Sequence, residues 1–93
     1  TAREAKEYGL VNKVVSNIEI LNKSAGITAK KFAERPTRAI GMIKDLMNKS
    51  FESSLDDILQ LEGDYQEQAG NTEDFKEGIA SFLEKRKTVF KGK

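Results

Sequence analysis

TEDFKEGIASFLEKRKTVFKGK, residues 72–93, decides how the rest of the chain is read. Thr72, or Asn71 before it, is suited to accept from the free N–H groups that open a helix, and Glu73 and Asp74 put negative charge in a first turn where the helix dipole favours it. Phe75, Ile79, Phe82 and Leu83 then recur at helical steps, with Arg86 continuing the line, so the stretch predicts a helix carrying one apolar stripe. The end is basic: Lys85, Arg86, Lys87, Lys91 and Lys93 stand against Glu84, with Val89 and Phe90 among them. Two readings of it stay open, a frayed solvated tail and a surface that holds a polyanion carrying an aromatic ring. Phe82 and Lys85 lie three apart and share a helical face. Under the first reading Phe82 is a core residue and Lys85 a surface charge. Under the second the ring offers a stacking face and the ammonium a phosphate contact. Spacing does not choose.

Upstream, caps and breakers divide the chain into more helices. Thr1 and Glu4 have capping-box spacing and Gly9 stands where a helix ends in the left-handed conformation, which predicts a helix over Ala2–Tyr8. Leu10–Val15 reads LVNKVV and suits a short extended segment. A longer helix is expected over about residues 18–34; it must stop before Pro36, whose ring pushes the preceding residue out of the helical region. Gly26 inside it costs about 1 kcal/mol against alanine, so close packing or a kink is expected there. Thr37 starts the next helix, with Ile40, Ile43, Leu46 and Met47 as its stripe. Ser53 or Ser54 caps a fourth, with Leu55, Ile58, Leu59, Tyr65 and Ala69 on one face and Gly70 closing it. The fold class is therefore mainly α, with four to five helices and one short extended segment.

Composition narrows the chemistry. The chain has 93 residues, enough for one domain. It contains neither cysteine nor histidine, which removes disulfides, thiolate nucleophiles, zinc fingers and imidazole catalysis. Hydrophobic residues make up 38% and no apolar run is long enough to span a membrane. No EF-hand loop, HExxH helix or glycine-rich phosphate loop is present, so no metal site and no nucleotide fold of those kinds is expected. Net charge is only +1 but segregated: nine acids (Glu52, Asp56, Asp57, Glu62, Asp64, Glu67, Glu73, Asp74 and Glu77) face Lys76 alone in residues 52–77. Glu62 falls on the apolar stripe of the fourth helix. The expected explanation is a buried ion pair, with Lys44 as candidate partner, or a helix-capping contact, rather than catalysis. The chain opens at Thr1 without an initiator methionine or signal peptide and reads as a piece of a longer protein.

Two stretches resemble the crotonase superfamily, the enoyl-CoA hydratases and isomerases. TAREAKEYGLVNKVV is similar to the signature in which those enzymes leave their core fold, and TEDFKEGIASFLEKRKTVFKGK resembles their ending, with its Glu-Gly, Ala-x-Phe and Glu-Lys-Arg. Between them Pro36, Ala39, Lys44, Leu46, Leu55, Glu62 and Gln66 fall where the family places such residues. Glu34-Arg35-Pro36 departs from the family's Ala-Arg-Pro. The resemblance implies a C-terminal helical domain, residues 1–15 ending the core and residues 16–93 forming a trimerisation domain, of an enzyme whose ββα spiral core is missing here. In the family that core carries the oxyanion hole and the two glutamates that add water across the α,β double bond of enoyl-CoA in fatty-acid catabolism. No catalytic residue carries over, and the chain alone should be inactive. What carries over is Phe82 and Lys85, at the positions that reach the adenosine diphosphate end of coenzyme A, commonly in a neighbouring subunit's site. The implied partners are acyl-CoA as substrate, with no separate cofactor or metal, and further copies of the chain in a trimer or hexamer. Nucleic acid and membrane are not expected partners, and the implied compartment is the bacterial cytoplasm or the mitochondrial matrix. The alternative is a free-standing helical protein-interaction module.

Overall fold

A computed structural model describes all of residues 1–93 and contains five α-helices and no β-strand. Its compact units are Thr1–Lys30 and Lys31–Lys93.

In the first unit, helix α1 (Ala2–Glu7) begins with a complete capping box: the Thr1 hydroxyl accepts from the Glu4 N–H at 3.2 Å and the Glu4 carboxylate takes the Thr1 ammonium at 2.6 Å. It ends in a Schellman turn. Gly9 sits at φ +74°, its N–H donating to the Lys6 carbonyl, while the Leu10 N–H donates to that of Ala5. The segment Leu10–Val15, expected to be extended, forms no ladder, because a strand needs a paired edge and none exists. It is anchored instead by the Lys13 ammonium, which donates to the Ser24 hydroxyl at 2.8 Å. Helix α2 (Ile18–Ala33) starts where the Asn17 side chain accepts from the Ile20 N–H. It stops ahead of Pro36 as the sterics require. Gly26 lies inside this one continuous helix and has no close neighbour: a Cβ there would meet nothing within 4 Å.

The second unit holds helices α3 (Thr37–Lys49), α4 (Leu55–Gly70) and α5 (Glu73–Leu83), with α4 packing against both others. The Ser54 hydroxyl caps α4 through the Asp57 N–H, and the Thr72 hydroxyl caps α5 through that of Phe75. Gly70 closes α4 as expected, as its last helical residue, with Asn71 as the C-cap. The half-buried residues of α3 are Ala39, Ile40, Met42, Asp45 and Leu46, and those of α4 are Ile58, Leu61, Tyr65, Ala69 and Gly70. Met42 and Leu61 replace the expected Ile43, Met47, Leu55 and Leu59, all more than half exposed. A step of three or four from Ile58 reaches Leu61, then Tyr65, then Ala69, and this narrower line is what one neighbouring helix covers. The Tyr65 hydroxyl donates to Asp45 at 2.5 Å and Lys49 pairs with the same carboxylate at 2.7 Å, closing the seam with a polar bridge.

Glu62 is exposed, makes no ion pair and caps no helix end, which overturns both the expected buried ion pair with Lys44 and the helix-capping contact. The stripe on which it falls includes Leu55, itself 73% exposed, so nothing there obliges a charged side chain to find a partner.

No apolar residue in the chain is buried; the three buried residues are Thr72, Asp74 and Ser81.

Candidate functional site

Those buried residues lie on α5 and its cap, and they mark a polar face opposite the apolar stripe. Asp74, Glu77, Gly78 and Ser81 follow one another at i, i+3, i+4 and i+7, one face of a helix. Residues 86–93 lie against that face, running back along the helix. The Arg86 guanidinium forks onto Glu77, with Nη1 to Oε1 at 2.6 Å and Nη2 to Oε2 at 2.8 Å, and its Nε donates to Glu84. The Ser81 and Thr88 hydroxyls share a 2.6 Å hydrogen bond, and the Val89 N–H donates to Glu77 Oε1 at 2.9 Å. Further along, the Asp74 carboxylate accepts from the Lys91 and Gly92 N–H groups at 2.6 and 2.8 Å, and the Asp74 N–H donates to the Lys93 carbonyl. Thr88, Phe90 and Gly92 alternate inward while Lys87, Val89, Lys91 and Lys93 stay exposed, the period of an extended chain. The basic end is thus a strap, not a frayed tail. Polar backbone groups with no ladder partner need acceptors, and α5 supplies them from carboxylates and hydroxyls.

The Glu77 carboxyl is held down to about 2, first by the Arg86 guanidinium and next by the Val89 N–H. A depressed carboxyl stabilises the docked strap fully above its unfolded value near 4.5 and loses that contribution as pH falls toward 2. The Glu77 side-chain carbon resonance should accordingly titrate near pH 2, with the Val89 amide losing protection over the same window; a midpoint near 4.5 would contradict the clamp.

The strap fixes the place where α5 ends, and there the two residues singled out by sequence come together. Phe82 is 82% exposed and lines an open cleft with Lys85, Gly78, Ser81, Arg86, Thr88 and Phe90. Lys85 is exposed at φ +53°, the one residue other than glycine in the left-handed region. The floor of the cleft is backbone and ring: Phe90 comes within ordinary contact of where a Gly78 side chain would be. The arrangement offers an unpaired aromatic face, a free ammonium and neutral hydroxyls. It offers no general acid or base aimed into the cleft, and no group of three or more acids is placed to hold a metal ion. On the other side of the strap Lys31, Arg35 and Lys87 gather with Glu34 and Phe90 around a second open cleft. Sequence reasoning missed Asp74, Glu77 and Ser81 as anchors. Their signal was present as a polar line at helical spacing, hidden by the more conspicuous apolar line beside it.

The profile of the enoyl-CoA hydratase/isomerase family matches residues 1–93. The chain belongs to that family. It is 40% identical over 93 residues to 1,2-epoxyphenylacetyl-CoA isomerase of Escherichia coli, covering all of this chain and 35% of that enzyme. Among solved structures, enoyl-CoA hydratase subunit I from Geobacillus kaustophilus superposes with a TM-score of 0.90 at 40% identity, over all of this chain and 36% of that one. An enoyl-CoA hydratase from Bacillus anthracis gives 0.84 at 36% identity, over 99% and 35%. The chain thus spans about a third of the length of the relatives it matches, and its five helices without a strand are the helical domain of this enoyl-CoA hydratase/isomerase fold. No helix is long and apolar enough to cross a membrane.

Proposed function

We propose that the chain is the C-terminal helical part of an enoyl-CoA hydratase, the enzyme that adds water across the double bond of an enoyl-CoA, and that its share of the work is contact with the coenzyme and assembly of subunits. The observation that carries the reading is the pairing of a bare aromatic ring with an ammonium at the end of α5: Phe82 is 82% exposed although it sits on a helix pinned along its opposite face. A purine stacks on such a ring and a diphosphate seeks such a cation. The apolar line Phe75, Ile79 and Leu83 beside it is 48% to 72% exposed and fits a surface that other subunits or a larger core cover. Catalytic glutamates and an oxyanion hole belong to that core, so this chain alone is inactive. The free-standing interaction module is the weaker reading, since such a module buries its own apolar residues. Relatives from bacteria and a mitochondrial one support a bacterial cytoplasmic or mitochondrial matrix enzyme.

The test is alanine at Phe82 and Lys85 together in the full-length protein. Loss of one base stack and one phosphate contact should raise KM for enoyl-CoA about tenfold while kcat stays within about twofold, as removal of remote uniform binding does. An unchanged KM returns both residues to a structural role.

A further inference from the structure

We propose that Glu77 is a positioning residue for Lys85: through Arg86 it holds a lysine in a backbone conformation that glycine ordinarily takes, so that the ammonium meets the anionic end of the substrate from a fixed support. The proposal rests on the reading of Phe82 and Lys85 just given.

Helices α1 and α5 end in the same motif. In α1 the N–H of Gly9 returns to the Lys6 carbonyl and that of Leu10 to Ala5; in α5 the N–H of Lys85 returns to Phe82 at 3.3 Å and that of Arg86 to Ser81 at 3.1 Å. Both are Schellman turns, whose pivotal residue is left-handed and usually glycine. The pivot of α1 is Gly9 at φ +74°; the pivot of α5 is Lys85 at φ +53°. A Cβ is strained in this region, and such an outlier is a pointer to use rather than to folding, since glycine makes the better helix end. What lysine adds at the pivot is its ammonium, beside Phe82.

The strain is held by the residue that follows. Arg86 is forked onto Glu77 and tied to Glu84, and Glu77 also takes the Val89 N–H, so one carboxylate anchors the backbone on the C-terminal side of Lys85 at two points. A bidentate guanidinium fixes direction as well as distance. Glu77 does not line the Phe82–Lys85 cleft, whereas Arg86 does. Removing the Glu77 charge therefore loosens the support of Lys85 without deleting a group that faces the ligand.

The experiment compares Glu77→Gln, Lys85→Ala and Lys85→Gly in the full-length protein, using an enoyl-CoA and the corresponding enoyl-pantetheine thioester, which lacks the nucleotide. Glu77→Gln should raise KM for the enoyl-CoA about fivefold, the ceiling for a solvent-accessible charge pair, and leave KM for the pantetheine thioester and kcat for both where they were. Lys85→Gly should raise KM for the enoyl-CoA as far as Lys85→Ala does, yet melt at or above the wild-type temperature. Equal KM changes with both thioesters for Glu77→Gln would make it a general stability residue and overturn the proposal. So would no change with either while Lys85→Ala still weakens the enoyl-CoA, or a melting temperature for Lys85→Gly as low as that for Lys85→Ala. If Lys85→Ala itself changes nothing, the coenzyme reading has failed, and the positioning role falls with it.

Discussion

Purified on its own, the 93-residue chain should show a helical far-ultraviolet spectrum, no sharp thermal transition, and strong binding of the dye ANS. Cooperative unfolding requires a core whose loss is all-or-none, and this chain buries only Thr72, Asp74 and Ser81. It exposes 7934 Å², where a self-contained protein of its 10.4 kDa mass exposes about 5400 Å². Much of the difference is apolar: Phe51, Phe82, Leu10 and Leu55 are each more than 70% exposed. Helices α1 and α5, of 6 and 11 residues, are too short to persist in water without packing. The seam between α3 and α4 is half-buried at best, and its polar bridge from Tyr65 to Asp45 is no substitute for buried area. In the full-length protein the same surfaces should be covered and the dye excluded. A single sharp transition of the isolated chain with an unfolding enthalpy near 65 kcal/mol, the size expected for a core-bearing domain of this length, would show that the helices satisfy one another.

The helix ends were legible in the sequence because caps are local. Thr1, Ser54, Thr72, Gly9 and Pro36 act over three or four residues, and each bounds a helix as its chemistry demands. Which face of a helix lies inward is a question about neighbours, and here local signals misled. The apolar stripe of α5 suggested an inward Phe82 as one reading, but its inward face is Asp74, Glu77 and Ser81, because the nearest partner is the chain's own polar strap. Glu62 was misjudged for the same reason, since an apolar line predicts burial only where something covers it. Gly26 drew an expectation of close packing, yet no atom approaches it. The pairing of Phe82 with Lys85 was legible from spacing, whereas the left-handed backbone of Lys85 was not: glycine signals that conformation, lysine does not. What remains of the candidate site was illegible because Asp74 meets Lys91 and Gly92 across 17 and 18 residues of chain.

That long-range contact carries the second large effect. Asp74→Ala should free the last residues of the full-length protein, raising hydrogen exchange at the Lys91 and Gly92 amides roughly 30- to 100-fold, since backbone bonds to a charged acceptor contribute about 1.5–3 kcal/mol each and part is recovered from water once the strap lifts. Asp74 is 4% exposed, so its two bonds are made where water competes poorly. Gly92→Ala should act at the same end by a different route. Gly92 has φ +75°, and a Cβ there would run into the Thr37 hydroxyl at the start of α3, so both strain and collision oppose docking. In either variant the Val89 amide should keep its protection, because Glu77 and Arg86 hold that point independently and their bonds are untouched. The strap would then open from its end inward, stopping at the clamp. If Asp74→Ala exposes Val89 as fully as Gly92, the strap releases as one unit and the Glu77–Arg86 clamp has no separate strength; if it exposes neither, some other surface holds the chain end.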